Sequence, residues 1–323
     1  MQGPAATDIV RALSERTFLT FAGDETYLLY IQGFPLREFC AFEVFDDAQA
    51  WRRMQDELLR PIADAAAANG MGLLAGCLVW RASADYLARL GGRDLAAVNR
   101  NAVERTRAFI DEWRAGGEAA GATPVIITGD VGPRGDGYAV SGPVSVGAAY
   151  DYHAPQVEVL ARAGVDLLLP LTMTSLPETL GFVRAAERAG LPVLVSPTME
   201  PDGRLPDGTP LGDFIAAVDQ QTSGTPVGYM VNCVHPTHLG PVLATAADAG
   251  APWLARFRGT RANASTKTHA ELDNSTALDR GDPAALARGV AELQQAHGMT
   301  IVGGCCGTDA DHLARIAAAC RGR

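Results

Sequence analysis

The sequence is short of basic residues. Its 27 lysines and arginines are outnumbered by 37 aspartates and glutamates, which leaves a formal net charge of −10. Aromatic residues make up only 7% of the chain, and they do not alternate with basic residues in any segment. A protein of this charge is repelled by nucleic acid phosphates and by anionic membrane surfaces. We therefore expect neither a nucleic acid nor a membrane partner.

Long hydrophobic runs are also absent from the sequence. The longest one, around residues 71–80, is too short to span the hydrocarbon core of a bilayer. Residues 1–5 contain no basic segment followed by an apolar core, so they do not resemble a signal peptide. We therefore expect a cytoplasmic protein. A hydrophobic share of 47% with 20% charged residues is typical of a globular protein with a large core.

Cysteine is scarce, with six residues in a chain of 323. Disulfides persist mainly in oxidising compartments, so these residues are expected to remain thiols. Thiols of a cytoplasmic protein serve in metal sites or lie buried in the core. Two of the six are adjacent, Cys305 and Cys306, and this pair is the strongest sign of a metal site in the chain.

Short apolar runs alternate with helical patterns along the whole sequence. The predicted strands are residues 18–21, 72–80, 124–129, 165–171, 192–196, 227–231, 253–258 and 300–302. The predicted helices are residues 51–69, 95–114, 150–163, 176–189, 212–221, 241–249, 286–296 and 310–319. Each strand is apolar throughout, as expected for parallel strands that are covered on both faces.

Eight strand–helix units of this kind close most simply into a barrel. We therefore predict the α/β class, with a (β/α)8 TIM barrel that forms a single domain over residues 1–323. No linker rich in proline, glycine or serine is long enough to separate two domains. A doubly wound open sheet is the alternative, but it usually carries a glycine fingerprint for phosphate after its first strand. Residues 21–25 contain no such fingerprint.

Three cysteines are predicted to lie at one end of this barrel. Cys305 and Cys306 follow the eighth predicted strand, and the glycines beside them let the backbone turn so that both sulfurs reach one spot. Cys233 follows the sixth predicted strand. The carboxyl ends of barrel strands share one face, which is where active sites are found. The three sulfurs would hold a soft cation such as Zn²⁺, with a fourth position open in a catalytic site.

These motifs resemble those of the homocysteine S-methyltransferase family. The likeness covers essentially the whole length and is carried by Asn232-Cys233, by the Gly-Gly-Cys-Cys-Gly of residues 303–307 and by the Gly-Pro-Arg-Gly-Asp-Gly-Tyr of residues 132–138. The resemblance implies that the three cysteines hold Zn²⁺ and serve catalysis. It also implies methyl transfer from a small sulfonium or ammonium donor to a thiol, which the zinc deprotonates.

The chain departs from the family at two acidic positions. Phe21 stands where the family has the aspartate of an Asp-Gly-Gly motif, and Leu171 stands where it has a glutamate, so both residues are predicted to contact the substrate. In the family both acids hold the amino group of homocysteine. An ammonium group buried without a partner costs roughly several kcal/mol. We therefore predict that the acceptor is homocysteine or, more in keeping with Phe21 and Leu171, a thiol without that amino group.

Further residues are predicted to contact substrate, each with a simpler interpretation beside it. Asp24 and Glu25 follow the first strand and would hold a cationic donor or a polar substrate, or would only be solvated loop residues. Trp80 would meet a cationic donor through cation–π attraction, or would only pack at the barrel end. Asn232 would orient the neighbouring cysteine or bind substrate. Tyr138 would belong to a lid or to an ordinary surface loop.

Two other functions are consistent with the same residues. One is a zinc-binding barrel that has lost methyl transfer and acts as a binding or regulatory module. The other is a zinc hydrolase or lyase, although zinc in hydrolases usually has histidine and carboxylate ligands. The partners implied by the sequence are a small-molecule thiol and a methyl donor. A homo-oligomer, and a separate corrinoid protein as the donor, stay open.

Overall fold

Eight parallel strands form a nearly closed ring at the centre of the molecule. The computed structural model describes residues 6–320 except for 273, 274 and 276. The strands are β1 Phe18–Thr20, β2 Gly72–Cys77, β3 Val125–Val131, β4 Leu167–Pro170, β5 Leu194–Val195, β6 Gly228–Val234, β7 Phe257–Ala262 and β8 Ile301–Gly304. They lie side by side in the order β4-β3-β2-β1-β8-β7-β6-β5. The predicted (β/α)8 barrel is thereby confirmed.

One junction in the ring, between β4 and β5, lacks a continuous pairing of strands. Strand β5 has two residues, and it meets β4 through isolated bridges that pair Leu168 with Val193 and Met173 with Pro197. By contrast, β2 and β3 pair in a continuous register of five residues, starting from Leu73. The barrel therefore closes between β4 and β5 through isolated bridges and separate backbone hydrogen bonds, such as those from Leu168 to Pro192 and from Ser196 to Pro170, and not through a continuous ladder like that of β2 and β3.

The α-helices surround the ring, most of them on its outside. They are α1 Ala6–Glu15, α2 Asp24–Thr26, α3 Ala48–Met54, α4 Arg60–Ala68, α5 Ala84–Arg89, α6 Leu95–Ala115, α7 Glu118–Ala122, α8 Val146–Ala163, α9 Leu176–Ala189, α10 Leu211–Gln221, α11 Pro236–Asp248, α12 His269–Leu272, α13 Pro283–His297 and α14 Ala310–Ala319. Several of them are capped at the N-terminus by a polar side chain that accepts hydrogen bonds from backbone N–H groups of the first turn. The capping residues are Asp47 for α3, Asp94 for α6, Ser145 for α8 and Asp282 for α13. None of the described helices is long and apolar enough to cross a membrane.

The seventh strand lies later in the chain than the sequence predicts. The prediction placed it at residues 253–258, whereas Pro252–Arg256 form a 3-10 turn and β7 follows that turn. Proline favours the first position of a helical turn because its φ angle is already suitable. Arg261 lies inside β7, where a charged residue is not expected. It is buried there because it pairs with Asp130.

Helix α1 fills the amino-terminal end of the barrel. Ile9 and Leu13 are each 1% exposed and pack in one cluster with Phe18, Leu74 and Ile126 from the first strands of the ring. Burying each such side chain stabilises the fold by roughly 1.5–3 kcal/mol. The sequence analysis did not identify this helix. Because α1 fills one end, a cavity in the barrel has to lie at the carboxyl ends of the strands.

Candidate metal and substrate site

Three sulfur atoms converge at the carboxyl ends of β6 and β8. The sulfurs of Cys233, Cys305 and Cys306 all lie within 4.8 Å of one another. Those of Cys233 and Cys306 are 3.8 Å apart. Tetrahedral zinc with Zn–S bonds of about 2.3 Å holds its sulfurs about 3.8 Å apart, so this pair already has the spacing of two zinc ligands. The donor set fits Zn²⁺ once all three sulfurs are thiolates.

Two of these sulfurs are bonded to each other. Cys233 and Cys305 form a disulfide, while Cys306 is free, as are Cys40, Cys77 and Cys320. The sequence analysis favoured six thiols, and it did not anticipate that sulfurs close enough to share a metal are also close enough to form a bond. Only a thiolate binds a metal well, so this disulfide has to be reduced before the three cysteines can act together.

The backbone around Cys233 is shaped to present its sulfur. Cys233 has a φ of 58°, in the left-handed region that a residue with a side chain rarely adopts. The pairing of β6 with β7 shifts between Asn232 and Val234, so Cys233 is the extra residue of a bulge. A bulge redirects a side chain at the end of a strand. The local strain therefore coincides with the residue whose sulfur joins the cluster.

Asn232 links three strands at the level of the sulfurs. Its Oδ1 atom accepts hydrogen bonds from the backbone N–H of Thr172, at 2.8 Å, and from the hydroxyl of Ser196, at 2.7 Å. Its Nδ2 atom lies 3.9 Å from the sulfur of Cys305. The side chain is 1% exposed. These contacts favour the orienting role that the sequence analysis considered for Asn232.

Two loops cover the sulfur atoms. The hydroxyl of Tyr138, in the loop after β3, lies within hydrogen-bonding distance of both Cys233 and Cys306. The ring of His269, at the start of α12 in the segment after β7, packs against Tyr138 at a tilt, with centroids 4.3 Å apart. His269 also contacts the backbone carbonyl of Cys233 through Nε2, at 2.8 Å. The sequence analysis did not single out His269, because a lone histidine in a long loop carries no signal of its partners.

Burial makes this environment unfavourable for a bare thiolate. Burial raises the pKa of the Cys306 thiol, although a hydrogen bond with Tyr138 opposes the shift. Burial likewise raises the pKa of Tyr138, and the charge of Cys306 adds to that effect. A bound cation reverses such shifts, because it stabilises the deprotonated sulfur directly.

The sulfurs open into a cavity of about 670 Å³. The predicted site residues that line it are Glu25, Trp80, Leu171, Asn232, Cys233, Cys305 and Cys306. Phe21, which was also predicted to contact substrate, is not among the described residues of the lining. Its ring packs toward Phe109 of α6, with centroids 6.4 Å apart, because the side chain points outward from the end of β1.

Trp80 already has partners on two sides. Its Nε1 atom donates a hydrogen bond to the hydroxyl of Thr172 at 3.0 Å. The guanidinium carbon of Arg81 lies 4.7 Å from the centre of its ring. One cation therefore already occupies a face of the indole that the sequence analysis assigned to a cationic donor.

A buried ion pair crosses the cavity floor. Arg261 contacts Asp130 at 3.0 Å, and it also donates hydrogen bonds to the backbone carbonyls of Gly304 and Ala22. Gly76, next to Asp130 across the sheet, leaves room for this carboxylate, since a Cβ atom at Gly76 would lie 2.5 Å from Oδ2 of Asp130. The sequence analysis did not identify Asp130. The sequence does contain a signal for it, because Thr128 and Asp130 are polar residues two positions apart in an otherwise apolar strand, and residues two apart share one face of the sheet.

Residues 47–320 match the sequence profile of a family described as homocysteine S-methyltransferase. Crystal structures of the homocysteine methyltransferase MmuM from Escherichia coli share the fold. Its oxidised form has a TM-score of 0.72 at 22% identity, covering 93% of this chain and 95% of that chain. Its metallated form has a TM-score of 0.68 at 21% identity, covering 94% and 96%. Its apo form has a TM-score of 0.63 at 22% identity, covering 94% and 96%.

Proposed function

The chain belongs to the homocysteine S-methyltransferase family, and from this premise we propose that it is a zinc-dependent S-methyltransferase. The methyl group would move from a small sulfonium or ammonium donor to a thiol acceptor, both of them small molecules. The observation that carries the proposal is the convergence of Cys233, Cys305 and Cys306 within 4.8 Å at the edge of a large cavity. The whole chain, residues 1–323, would form one barrel domain.

The residues around the sulfurs would divide the task among them. The three cysteines would hold the metal, and bound zinc would supply the positive charge that keeps an acceptor thiol deprotonated near neutral pH. Tyr138 and His269 would limit the access of water to the site. Both lie over the sulfurs in the described structure.

The transfer itself is a displacement at carbon. The acceptor sulfur attacks the methyl carbon, and a new C–S bond forms as the bond from the methyl group to the donor breaks. The donor keeps that electron pair and leaves as a neutral sulfide or amine, so no oxidant or reductant is needed. The cavity, which contains the sulfurs at one edge, can place the two substrates in line for this attack.

The acceptor would be homocysteine or, more in keeping with the cavity wall, a different thiol. Leu171 lines the cavity where the family has a glutamate, and it is 7% exposed. Phe21 points away from the cavity and cannot replace a carboxylate there. The two acids that the family uses for the amino group of homocysteine are therefore missing from these positions.

A second candidate function is a barrel that binds small molecules without methyl transfer, as a binding or regulatory module. The missing acids at positions 21 and 171 favour it, because the family uses them to hold its acceptor.

The metal content of reduced protein, purified without added metal, tests the proposal. We expect about one zinc per chain in the parent, since three thiolates supply the three protein ligands of a catalytic zinc site and leave its fourth position open. Cys233→Ser should lose most of it, whereas Cys320→Ser, which changes a buried cysteine at the end of α14, should retain it. A zinc-loaded protein would then be assayed with a panel of onium donors and thiols. Zinc without any turnover would support the binding module, and no zinc in the reduced parent would exclude the proposed mechanism.

A further inference from the structure

Two carboxylates that face the cavity have no cationic partner. Asp24 and Glu25 form the start of α2, directly after β1, and both line the cavity that contains the sulfurs. Asp24 is 8% exposed, and its Oδ1 atom has no hydrogen-bond partner. Within the described part of the chain, neither residue takes part in an ion pair. A buried carboxylate in this state is unfavourable, so its presence calls for an explanation.

The two cations near these carboxylates are already engaged. Arg261 is close enough to influence both carboxylates, but its guanidinium contacts Asp130 and two backbone carbonyls. Arg81 influences Glu25 as well, but it lies over Trp80 and donates a hydrogen bond to the backbone carbonyl of Glu38. The formal charges of the three carboxylates, Asp24, Glu25 and Asp130, and of the two guanidinium groups, Arg81 and Arg261, sum to −1. Burial raises the pKa of Asp24 and of Glu25, and the charge of Glu25 adds to the shift at Asp24. One further positive charge in the cavity would therefore be favourable.

The two carboxylates are held beside the sulfurs. The backbone N–H of Gly307 donates a hydrogen bond to the hydroxyl of Thr26 at 3.2 Å, which joins α2 to the turn that follows the cysteine pair. Gly23 permits this close approach, because a Cβ atom there would collide with the carbonyl oxygen of Cys305. A small molecule can thus reach the sulfurs and the carboxylates within one cavity.

We propose that Asp24 and Glu25 form the subsite for the positively charged group of a substrate, either an ammonium or a sulfonium. The inference rests on the proposed function, because the cavity is taken to be where the substrates bind. The charge has two sources, the amino group of the acceptor thiol or the onium centre of the methyl donor. If the acceptor has an amino group, Asp24 and Glu25 would bind it in place of the two family acids that are missing at positions 21 and 171.

Calorimetric binding to the reduced full-length chain tests the subsite without any turnover. Each source is probed with a pair of molecules that differ chiefly in the positive charge. Homocysteine is compared with 4-mercaptobutanoate, and trimethylglycine is compared with 3,3-dimethylbutanoate. We expect the charged member of at least one pair to bind about tenfold more tightly or better, since a buried ion pair is worth at least that factor. The pair that shows the preference identifies the source.

The double variant Asp24→Asn/Glu25→Gln keeps the shape of both side chains and should reduce the preference to about twofold or less. Glu15→Gln, at the end of α1 on the opposite side of the barrel, should keep it. The comparison of charged and neutral probes in the parent does not depend on the folding of any variant. No preference for the charged member of either pair would overturn the subsite, as would a preference that survives in the double variant. A charge preference without methyl transfer would leave the subsite standing and contradict the proposed function.

Discussion

The hydroxyl group of Tyr138 lies 3.3 Å from the sulfur of Cys233. It also lies 3.4 Å from the sulfur of Cys306, so one phenol contacts sulfurs from β6 and from the turn after β8. The ring of the same residue packs against His269, which contacts the backbone of Cys233. The loops after β3 and β7 therefore meet above the sulfurs. A thiol that approaches them has to displace Tyr138 or pass beside it.

We expect Tyr138→Phe to bind as much zinc as the parent but to release it faster. The variant keeps the ring that packs against His269 and loses the one hydrogen bond that the hydroxyl can donate to a zinc-bound thiolate. Such a bond contributes about 0.5–1.5 kcal/mol, so release to a chelator should accelerate roughly 2- to 12-fold. The rate is measured by transfer of zinc to a chromogenic chelator. Tyr150→Phe, in α8 and outside the cavity lining, is the control, and equal rates in the two variants would contradict the covering role.

Asn232→Ala is expected to destabilise the fold by about 2–4 kcal/mol, because two buried donors lose their acceptor at once. These donors are the backbone N–H of Thr172 and the hydroxyl of Ser196. Urea unfolding of the reduced protein measures the change in the free energy of unfolding. Asn101→Ala, at a half-buried position in α6, is the matched control. A loss no larger than that of the control would mean that the Asn232 amide does not hold these strand ends together.

Gly76→Ala should cost about 1–3 kcal/mol of stability, as other insertions into a packed interior do. The added methyl group would lie 2.5 Å from Oδ2 of Asp130, so the carboxylate or its partner Arg261 has to move. Gly121→Ala offers a control, because a Cβ atom there meets its nearest neighbour, the carbonyl oxygen of Arg114, at 3.6 Å. Thermal and urea unfolding of both variants provide the comparison. Equal stability of the two would contradict the placement of Asp130.

Asp24→Asn is expected to become more stable relative to the parent as the pH rises. Burial and the charge of Glu25 raise the folded-state pKa of Asp24 above its usual value of 3.8. Between these two pKa values the folded protein holds more protons than the unfolded chain, so the stability of the parent falls as the pH rises through that interval. The amide of the variant does not titrate and escapes this loss.

Urea unfolding of the parent and of Asp24→Asn, from about pH 4 to about pH 8, gives the difference in the free energy of unfolding across the interval. The exposed Glu15 serves as the control site, through Glu15→Gln. A difference that stays constant, or that changes in the direction opposite to the expected one, would show that Asp24 is not a buried carboxylate without a partner.

The barrel and the cluster of three cysteines could be predicted because their signals are local. Apolar runs mark most of the strands, and glycines beside Cys305 and Cys306 mark the turn that carries them. The pairing of Asp130 with Arg261 could not be predicted, since it joins residues 131 positions apart and places charges inside strands. The outward direction of Phe21 also depends on how β1 ends and on what α6 places behind it. Such facts depend on three-dimensional packing, which no short sequence pattern encodes.

The junction between β4 and β5, which lacks a continuous pairing of strands, has a consequence for local opening of the barrel. Thr172 follows β4 and Ser196 follows β5, and the side chain of Asn232 joins them where regular strand pairing is sparse. Backbone amides at this junction should therefore exchange with solvent deuterium sooner than those between β2 and β3. Leu171 and Thr172 border the junction and also line the cavity. Amide exchange at this side of the ring can thus report that a molecule has entered the cavity, even when no chemistry takes place.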